Sequence, residues 1–217
     1  MIKLALMGKM ACGKSTLSAK FQEFYNAKRV SLADPLKEEV LRLQLTPDGK
    51  IDKARDRGLL QDYAQLRRGE KSKIFYYAGR VIIIKELAYL DPNHLDAILL
   101  GRCYSDFWVD MAKDKLNQII HMDKFLRQGS SVVVDDIRRL NELEMFKSQG
   151  FIIVKVEADD SLRLQRLIDR DGGFDASRLN DISESEIDSL PCDFSINNNG
   201  FIKESWEELV ENLAIFS

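Results

Sequence analysis

Cysteine is scarce in this chain of 217 residues, and the three that occur, Cys12, Cys103 and Cys192, lie far apart. Their number is odd and no two have the spacing of metal ligands, which argues against a disulfide framework or a zinc site. The sequence therefore predicts reduced thiols in a cytoplasmic protein. The side chain of Cys12 is expected to be incidental to any chemistry.

Long apolar runs and an excess of basic charge are also missing. No stretch reaches the roughly 20 apolar residues of a membrane-spanning helix, and the apolar N-terminal run is too short for a secretion signal. Lysine and arginine number 32 against 35 acidic residues, so the formal net charge is −3. Without a basic tail or stripe, neither a nucleic-acid polymer nor a membrane is an expected partner.

The composition is that of one α/β domain. Hydrophobic residues make up 45% of the chain and charged residues 31%, which suits a globular protein with an ample core. Short apolar runs alternate with segments of helical periodicity, a pattern typical of a parallel sheet covered on both faces. Strands are predicted at 2–7, 29–33, 131–136, 151–156 and 194–196. Helices are predicted at 14–25, from Asp34 as N-cap, at 57–68, 77–90, 106–127, from about 140 to 149, at 159–170, around 183–186 and from about 202.

A phosphate-loop motif stands at the N-terminal end. Gly8 to Thr16 reads GKMACGKST and fits Gly-x4-Gly-Lys-Ser/Thr, with a strand predicted before it and a helix after it, as the motif requires. Glycines allow a tight turn whose backbone N–H groups converge on one phosphate, and the helix N-terminus adds partial positive charge. The alternative is a strand-to-helix turn that binds nothing. We expect ATP to bind at Gly8, Ala11, Cys12, Gly13, Lys14, Ser15 and Thr16.

The roles within the loop follow from the side chains. Lys14 would reach the β- and γ-phosphates as a catalytic residue, and the hydroxyl of Ser15 would ligate Mg²⁺. Asp135 and Asp136 end a valine-rich strand, where ligands of parallel sheets bind. We favour Asp136 as a second magnesium ligand with an active-site role, although an Asp here could also be a helix N-cap.

Several arginines could contact phosphate. Arg138 could grip one bidentately or form a surface ion pair. Arg163, Arg166 and Arg170 share a helical face before a glycine-containing polar segment, which fits either a lid over the transferred phosphate or a solvated charged face. Arg57 and Gln61 lie four residues apart on a predicted helix and could recognise a phosphate and a base edge.

Taken together in their order along the chain, several short stretches resemble the phage-type deoxynucleoside monophosphate kinases, within the nucleoside monophosphate kinase-like P-loop proteins. The stretches beyond the loop are Leu32–Lys37, Arg57–Gln61, Asp106–Trp108, Asp136–Arg138 with Asn141–Glu142, Ile182–Glu184, and Asn197–Gly200. The resemblance implies a P-loop NTPase-type three-layer α/β/α fold with a five-stranded parallel sheet, a helical acceptor-binding insertion at 45–105 and a lid at 163–185, all within one kinase domain of residues 1–217.

The resemblance also implies a reaction, the ATP- and Mg²⁺-dependent phosphorylation of a (deoxy)nucleoside monophosphate. It places Asp34, Arg57, Gln61 and Arg138 near the monophosphate, and Arg166 and Arg170 near the lid. Two alternatives stay open: a kinase of another small phosphorylated acceptor, similar to dephospho-coenzyme A kinases, and a non-catalytic ATP-binding switch. A homodimer is one option for the assembly.

Overall fold

The structure is a computed structural model that describes residues 1–46, 48–52, 55–70, 74–77, 80–84, 98–100, 104–126, 129–171 and 182–216. The chain divides into two compact units, one of Met1–Ser31 with Lys113–Ser217 and one of Leu32–Ala112. In chain order the elements are β1 (Lys3–Met7), α1 (Lys14–Tyr25), β2 (Lys28–Val30), α2 (Ala33–Arg42), α3 (Arg57–Arg67), β3 (Ile74–Tyr77), β4 (Arg80–Ile84), β5 (Ile98–Leu100), α4 (Phe107–Leu126), β6 (Val132–Ile137), α5 (Leu140–Ser148), β7 (Ile152–Glu157), α6 (Asp160–Asp171), α7 (Ile182–Ser189), β8 (Phe194–Asn197) and α8 (Ile202–Ile215).

The first unit is built on a five-stranded sheet in the order β2-β6-β1-β7-β8. All four strand pairs are parallel, which confirms the predicted five-stranded parallel sheet. The central strand β1 is buried from Leu4 to Met7, as expected of a strand covered on both faces. Its position in the middle of the sheet places the loop that follows it between the C-terminal ends of β6 and β7.

Helices α1 and α8 pack on the sheet through a continuous apolar cluster. The periodic residues Leu17 and Phe21 of α1, and Leu209 and Leu213 of α8, are at most 1% exposed. They contact inward side chains of β1, β6, β7 and β8, among them Leu4, Leu6, Val133, Val154 and Ile196. This core fixes the direction in which α1 leaves the loop at residues 8–16.

The second unit combines helices with a small sheet. Its core packs Val40, Leu45, Tyr63, Leu66 and Trp108, contributed by α2, α3, the start of α4 and the segment after α2. The sheet has the order β3-β4-β5, with β3 antiparallel and β5 parallel to β4.

The helix predicted at 77–90 is wrong over its described part. Tyr77 ends strand β3, and residues 80–84, Arg-Val-Ile-Ile-Ile, form strand β4. The cause is the run of β-branched side chains, whose restricted χ1 angles favour extended backbone over helix. The expected helical insertion at 45–105 therefore contains strands as well as helix α3. Residues 78–79 and 85–90 of the predicted helix lie outside the described residues.

The predicted N-cap at Asp34 is also wrong. Helix α2 begins at Ala33, with Leu32 as its N-cap residue, and Asp34 lies inside the first turn. A carboxylate in the first turn still stabilises the helix, because it faces the positive end of the helix dipole. Asp34 Oδ1 accepts a 3.4 Å hydrogen bond from Lys37 Nζ.

Three further features bear on the predictions. Both described cysteines, Cys12 and Cys192, carry free thiols, whereas Cys103 lies outside the described residues. Residues 172–181, the middle of the predicted lid, also lie outside them. Within the described ranges, no helix combines the length and the apolar character needed to cross a membrane.

Candidate active site

The loop between β1 and α1 has the backbone of a phosphate-binding turn. Gly8, Ala11 and Gly13 have positive φ angles of 148°, 61° and 104°. Alternation of left-handed and right-handed residues turns successive N–H groups toward one concave side, which makes an anion-binding nest. Gly13 is the N-cap residue of α1, so the helix N-terminus opens on the same loop.

The two motif glycines are required by close contacts as well as by φ. A Cβ at Gly8 would overlap the carbonyl oxygen of Val156 and lie 2.8 Å from Cys12 Sγ. A Cβ at Gly13 would overlap the side-chain amide of Asn198. Because backbone from β7 and a side chain after β8 fill these spaces, the loop is held tightly against the sheet.

Lys14 is bonded to the loop that it follows. The residue is buried, with 8% of its surface exposed. The ammonium donates hydrogen bonds to the carbonyl oxygens of Gly8, at 2.5 Å, and Lys9, at 2.8 Å. The positive charge is thus held against the loop from Gly8 onward, within the turn where a phosphate would be bound.

Side chains from elsewhere in the first unit bind three successive carbonyl groups of the loop. Arg163 Nε donates to Met10 O at 2.9 Å, and Arg166 Nη1 donates to Ala11 O at 3.3 Å. Asn198 Nδ2 donates to Cys12 O at 2.7 Å. Two of the arginines predicted to form a lid are therefore attached to the loop itself.

The end of β6 lies beside the start of the loop. Met7 of β1 is paired with Ile137 of β6, so the residues that follow each of them are neighbours at one edge of the sheet. The Asp135 carboxylate, 4% exposed, forms a 2.8 Å ion pair with Arg29 of β2. Asp136 Oδ2 accepts a 2.5 Å hydrogen bond from Ser31 Oγ. Asp135 therefore has a structural partner, and Asp136 is the carboxylate nearer to solvent.

Glu142 organises the turn that carries Arg138. Its Oε2 accepts hydrogen bonds from the backbone N–H groups of Arg138, at 2.8 Å, and Arg139, at 3.1 Å. Burial, together with the neighbouring negative charge of Asp136, raises the pKa of Glu142 to about 7. The carboxyl group thus caps α5 and sets the backbone position of Arg138 at the edge of the site.

Comparison with known proteins gives one relative by sequence and several by structure. No protein-family model matches the chain. An uncharacterised protein of Schizosaccharomyces pombe is 27% identical over 225 residues, which cover all of this chain and 84% of that protein. A sugar kinase from a Janibacter species, in an unliganded crystal structure, superposes with a TM-score of 0.53 at 13% identity over 99% of this chain and 95% of its own. A dephospho-CoA kinase from Campylobacter jejuni gives a TM-score of 0.48 at 15% identity, over 99% and 96%.

The chain has a P-loop-type α/β fold, a five-stranded parallel sheet with flanking helices and a phosphate loop after its central strand. The sheet order, the loop after the central strand β1 and the match to the sugar kinase agree on this assignment. A structural match at 13% identity supports a shared fold but does not identify the substrate. Membership of the phage-type deoxynucleoside monophosphate kinases therefore stays a prediction.

The predicted magnesium ligands suit the ion by their chemistry. Magnesium prefers oxygen ligands and usually takes one or two from the protein, the rest coming from water and substrate phosphates. Ser15, exposed in the first turn of α1, offers a hydroxyl, and Asp136 offers a carboxylate. Among the described residues no group of three or more potential metal-binding side chains exists, so a metal here would rely on the nucleotide for further ligands.

The predicted acceptor residues are divided between the two units of the chain. Arg138 belongs to the first unit, while Asp34, Arg57 and Gln61 belong to the second. Arg57 begins α3 and Gln61 lies one turn later with an exposed side chain, as the spacing predicts. Arg170 is exposed in the last turn of α6, next to the undescribed residues 172–181.

Sequence reasoning assigned no role to two residues that shape the site. Asn198 is 2% exposed and contacts the loop, although its tripeptide Asn197-Asn198-Asn199 suggests only a turn. In the sequence, Glu142 has the character of a surface residue of an amphipathic helix, but in the structure it is only 8% exposed. No capping-box signature marks Glu142, because the N-cap residue three positions before it is Arg139, whose side chain cannot accept a hydrogen bond.

Proposed function

We propose that this protein is a phosphotransferase that moves the γ-phosphate of ATP to a (deoxy)nucleoside monophosphate. The proposal is supported by the position of the phosphate loop, which includes Lys14. The pairing of β1 with β6 brings this loop beside the end of β6, where Asp136 and Arg138 lie. A donor phosphate site and a second cationic group thus stand at one edge of the same sheet. The resemblance of the ordered short motifs to phage-type kinases supports a nucleoside monophosphate as the acceptor.

In phosphoryl transfer the protein mainly positions the two substrates and neutralises their negative charge. An oxygen of the acceptor's phosphate attacks the γ-phosphorus, the bond from that phosphorus to the bridging oxygen breaks, and ADP leaves with the bond's electron pair. The loop N–H groups and Lys14 bind the β- and γ-phosphates and oppose the charge that develops on them. Bound Mg²⁺, with Ser15 and Asp136 as its protein ligands, would supply further charge neutralisation.

The acceptor is held by the remaining predicted residues. Arg138 binds the acceptor's phosphate, which keeps the two anions in line for transfer. The resemblance assigns Arg57 to the same phosphate, and Asp34 and Gln61 to the monophosphate site. Arg166 and Arg170 of α6 add positive charge on the lid side of the transferred phosphate.

The test is ADP release from Mg·ATP in the presence of each common ribo- and deoxynucleoside monophosphate, with dephospho-coenzyme A in the same panel. The proposal expects stimulation by one or a few monophosphates and loss of that stimulation in Arg138→Ala. Stimulation by dephospho-coenzyme A alone would show that the acceptor is not a nucleoside monophosphate. Tight ATP binding with no stimulated release would favour an ATP-dependent switch.

A further inference from the structure

We propose that Asn198 and Arg163 are positioning residues that keep the phosphate loop in its nucleotide-binding shape before any nucleotide is bound. The inference rests on the proposed function only in that the loop binds ATP; it does not depend on the acceptor. Neither residue belongs to the phosphate-loop motif. Asn198 lies just after β8 and Arg163 lies in the first turn of α6.

The first argument is the pattern of loop contacts. Met10 O, Ala11 O and Cys12 O each accept a hydrogen bond from a side chain outside the loop. Because the N–H and C=O groups of a peptide unit point in opposite directions, fixing Met10 O and Cys12 O toward the protein turns the following N–H groups, those of Ala11 and Gly13, toward the concave side. The N–H group of Cys12 donates to Lys9 O within the turn. The concave side is where the phosphates bind, so the carbonyl contacts set up the donors that ATP needs.

The second argument is burial. Arg163 is 3% exposed and Asn198 is 2% exposed, so water does not compete for these hydrogen bonds. Arg163 carries a full charge, which makes its bond to Met10 O stronger than a neutral one. Its Nη1 also forms a 2.7 Å ion pair with Asp160, which gives the guanidinium a second partner.

The third argument is that Asn198 is held in one orientation. Cys12 O can only accept a hydrogen bond, so the side-chain group 2.7 Å from it must be the amide nitrogen, and Asn198 Oδ1 then faces Ser205 Oγ at 2.9 Å. That nitrogen occupies the space that a Cβ of Gly13 would need. The backbone carbonyl of Asn198 accepts a 2.9 Å bond from Arg166 Nη2, which joins the carbonyl contacts into one network.

The experiment compares Asn198→Ala with Ser205→Ala. Both truncations remove a buried hydrogen bond of the same network, but only the first removes the bond to Cys12 O. Titration calorimetry with Mg·ATP, and separately with inorganic tripolyphosphate, measures the affinity. We expect Asn198→Ala to weaken both ligands about tenfold, the equivalent of one buried hydrogen bond and the freedom that its loss gives the loop. Ser205→Ala should stay within about twofold of the wild type, with a similar fall in the unfolding temperature.

The two ligands separate loop positioning from a contact with the base. Weakening of ATP with unchanged tripolyphosphate binding would mean that Asn198 contacts the nucleoside, and would overturn the proposal. Equal weakening of ligand binding by Asn198→Ala and Ser205→Ala would mean that Asn198 only contributes to stability, and would also overturn the proposal. If wild-type protein binds ATP and tripolyphosphate but phosphorylates no acceptor, the proposed function fails while this inference is still decided by the affinities.

A second pair of variants tests Arg163 and covers the case in which Asn198→Ala does not fold. Arg163→Met keeps the length of the side chain and removes its donors, whereas Asp160→Asn breaks the ion pair and leaves the bond to Met10 O. We expect Arg163→Met to weaken tripolyphosphate about tenfold and Asp160→Asn to change it less than about twofold. Unchanged affinity in Arg163→Met would contradict the proposal.

Discussion

Glu142 is a buried carboxyl whose ionisation should lower the stability of this protein as the pH rises. Burial raises its pKa from 4.5 to about 7, and the negative charge of Asp136 adds to the rise, against the opposing hydrogen bonds from Arg138 and Arg139. Below about pH 4.5 the group is protonated in both folded and unfolded chains. Between pH 4.5 and 7 the folded chain holds the proton that the unfolded chain has released, so the free energy of unfolding falls over this interval.

The size of the effect follows from the two pKa values. Their difference is 7 − 4.5 = 2.5, and about 1.36 kcal/mol per pH unit gives a loss of about 3 kcal/mol by pH 8. The groups that face Glu142 and carry charge are Asp136 and Arg139, so the effect belongs to this cluster rather than to a distant site.

The assay is urea unfolding of the wild type and of Glu142→Gln at intervals between pH 5 and pH 8. Gln keeps the shape of the side chain and an oxygen that can accept from the backbone of Arg138, but it does not ionise. The difference in unfolding free energy between the two proteins should change by about 2.5 kcal/mol from pH 5 to pH 8, with the variant relatively more stable at high pH. A difference that stays constant with pH would refute the reasoning.

Two other substitutions test the packing around the loop and β6. Gly13→Ala should weaken ATP binding at least about tenfold, because the new Cβ meets Asn198 and the residue must keep a φ of 104°. Calorimetric titration with ATP measures the affinity. The control is Gly150→Ala, which has a φ of 77° and open space at the Cβ and should bind ATP normally. Arg29→Ala should lower the free energy of unfolding in urea by about 3 kcal/mol, since it leaves the buried Asp135 carboxylate without its cationic partner; a loss below about 1 kcal/mol would contradict this assignment.

The sheet and the phosphate loop could be predicted from the sequence because their signals are local. The strand at Lys3–Met7 and the helix at Lys14–Tyr25 are marked by apolar runs and by the motif between them. The strands of the second unit were harder, since Tyr77 to Ile84 contains apolar residues that suit a helix face as well as a strand. There the β-branched composition was the better guide to the structure than the spacing.

The contacts that complete the site depend on tertiary structure. Arg166 reaches Ala11 across more than one hundred and fifty positions of sequence, and Asn198 reaches Cys12 across more than one hundred and eighty. No local pattern encodes such pairings, because they arise only when β8 and α6 are placed beside the loop by the parallel sheet. For the same reason, Arg163 could be predicted as a cation near phosphate but not as a ligand of Met10 O.

Transfer of labelled phosphate tests the central claim most directly. ATP labelled at the γ-position is incubated with the protein, Mg²⁺ and the monophosphate that gives the strongest ADP release, and the products are separated. The account predicts that label appears in the nucleoside diphosphate in a one-to-one ratio with ADP, and that folded Lys14→Ala loses this transfer by at least about a hundredfold. Label released as inorganic phosphate at the same rate with and without the acceptor, or transfer unaffected by Lys14→Ala, would contradict it.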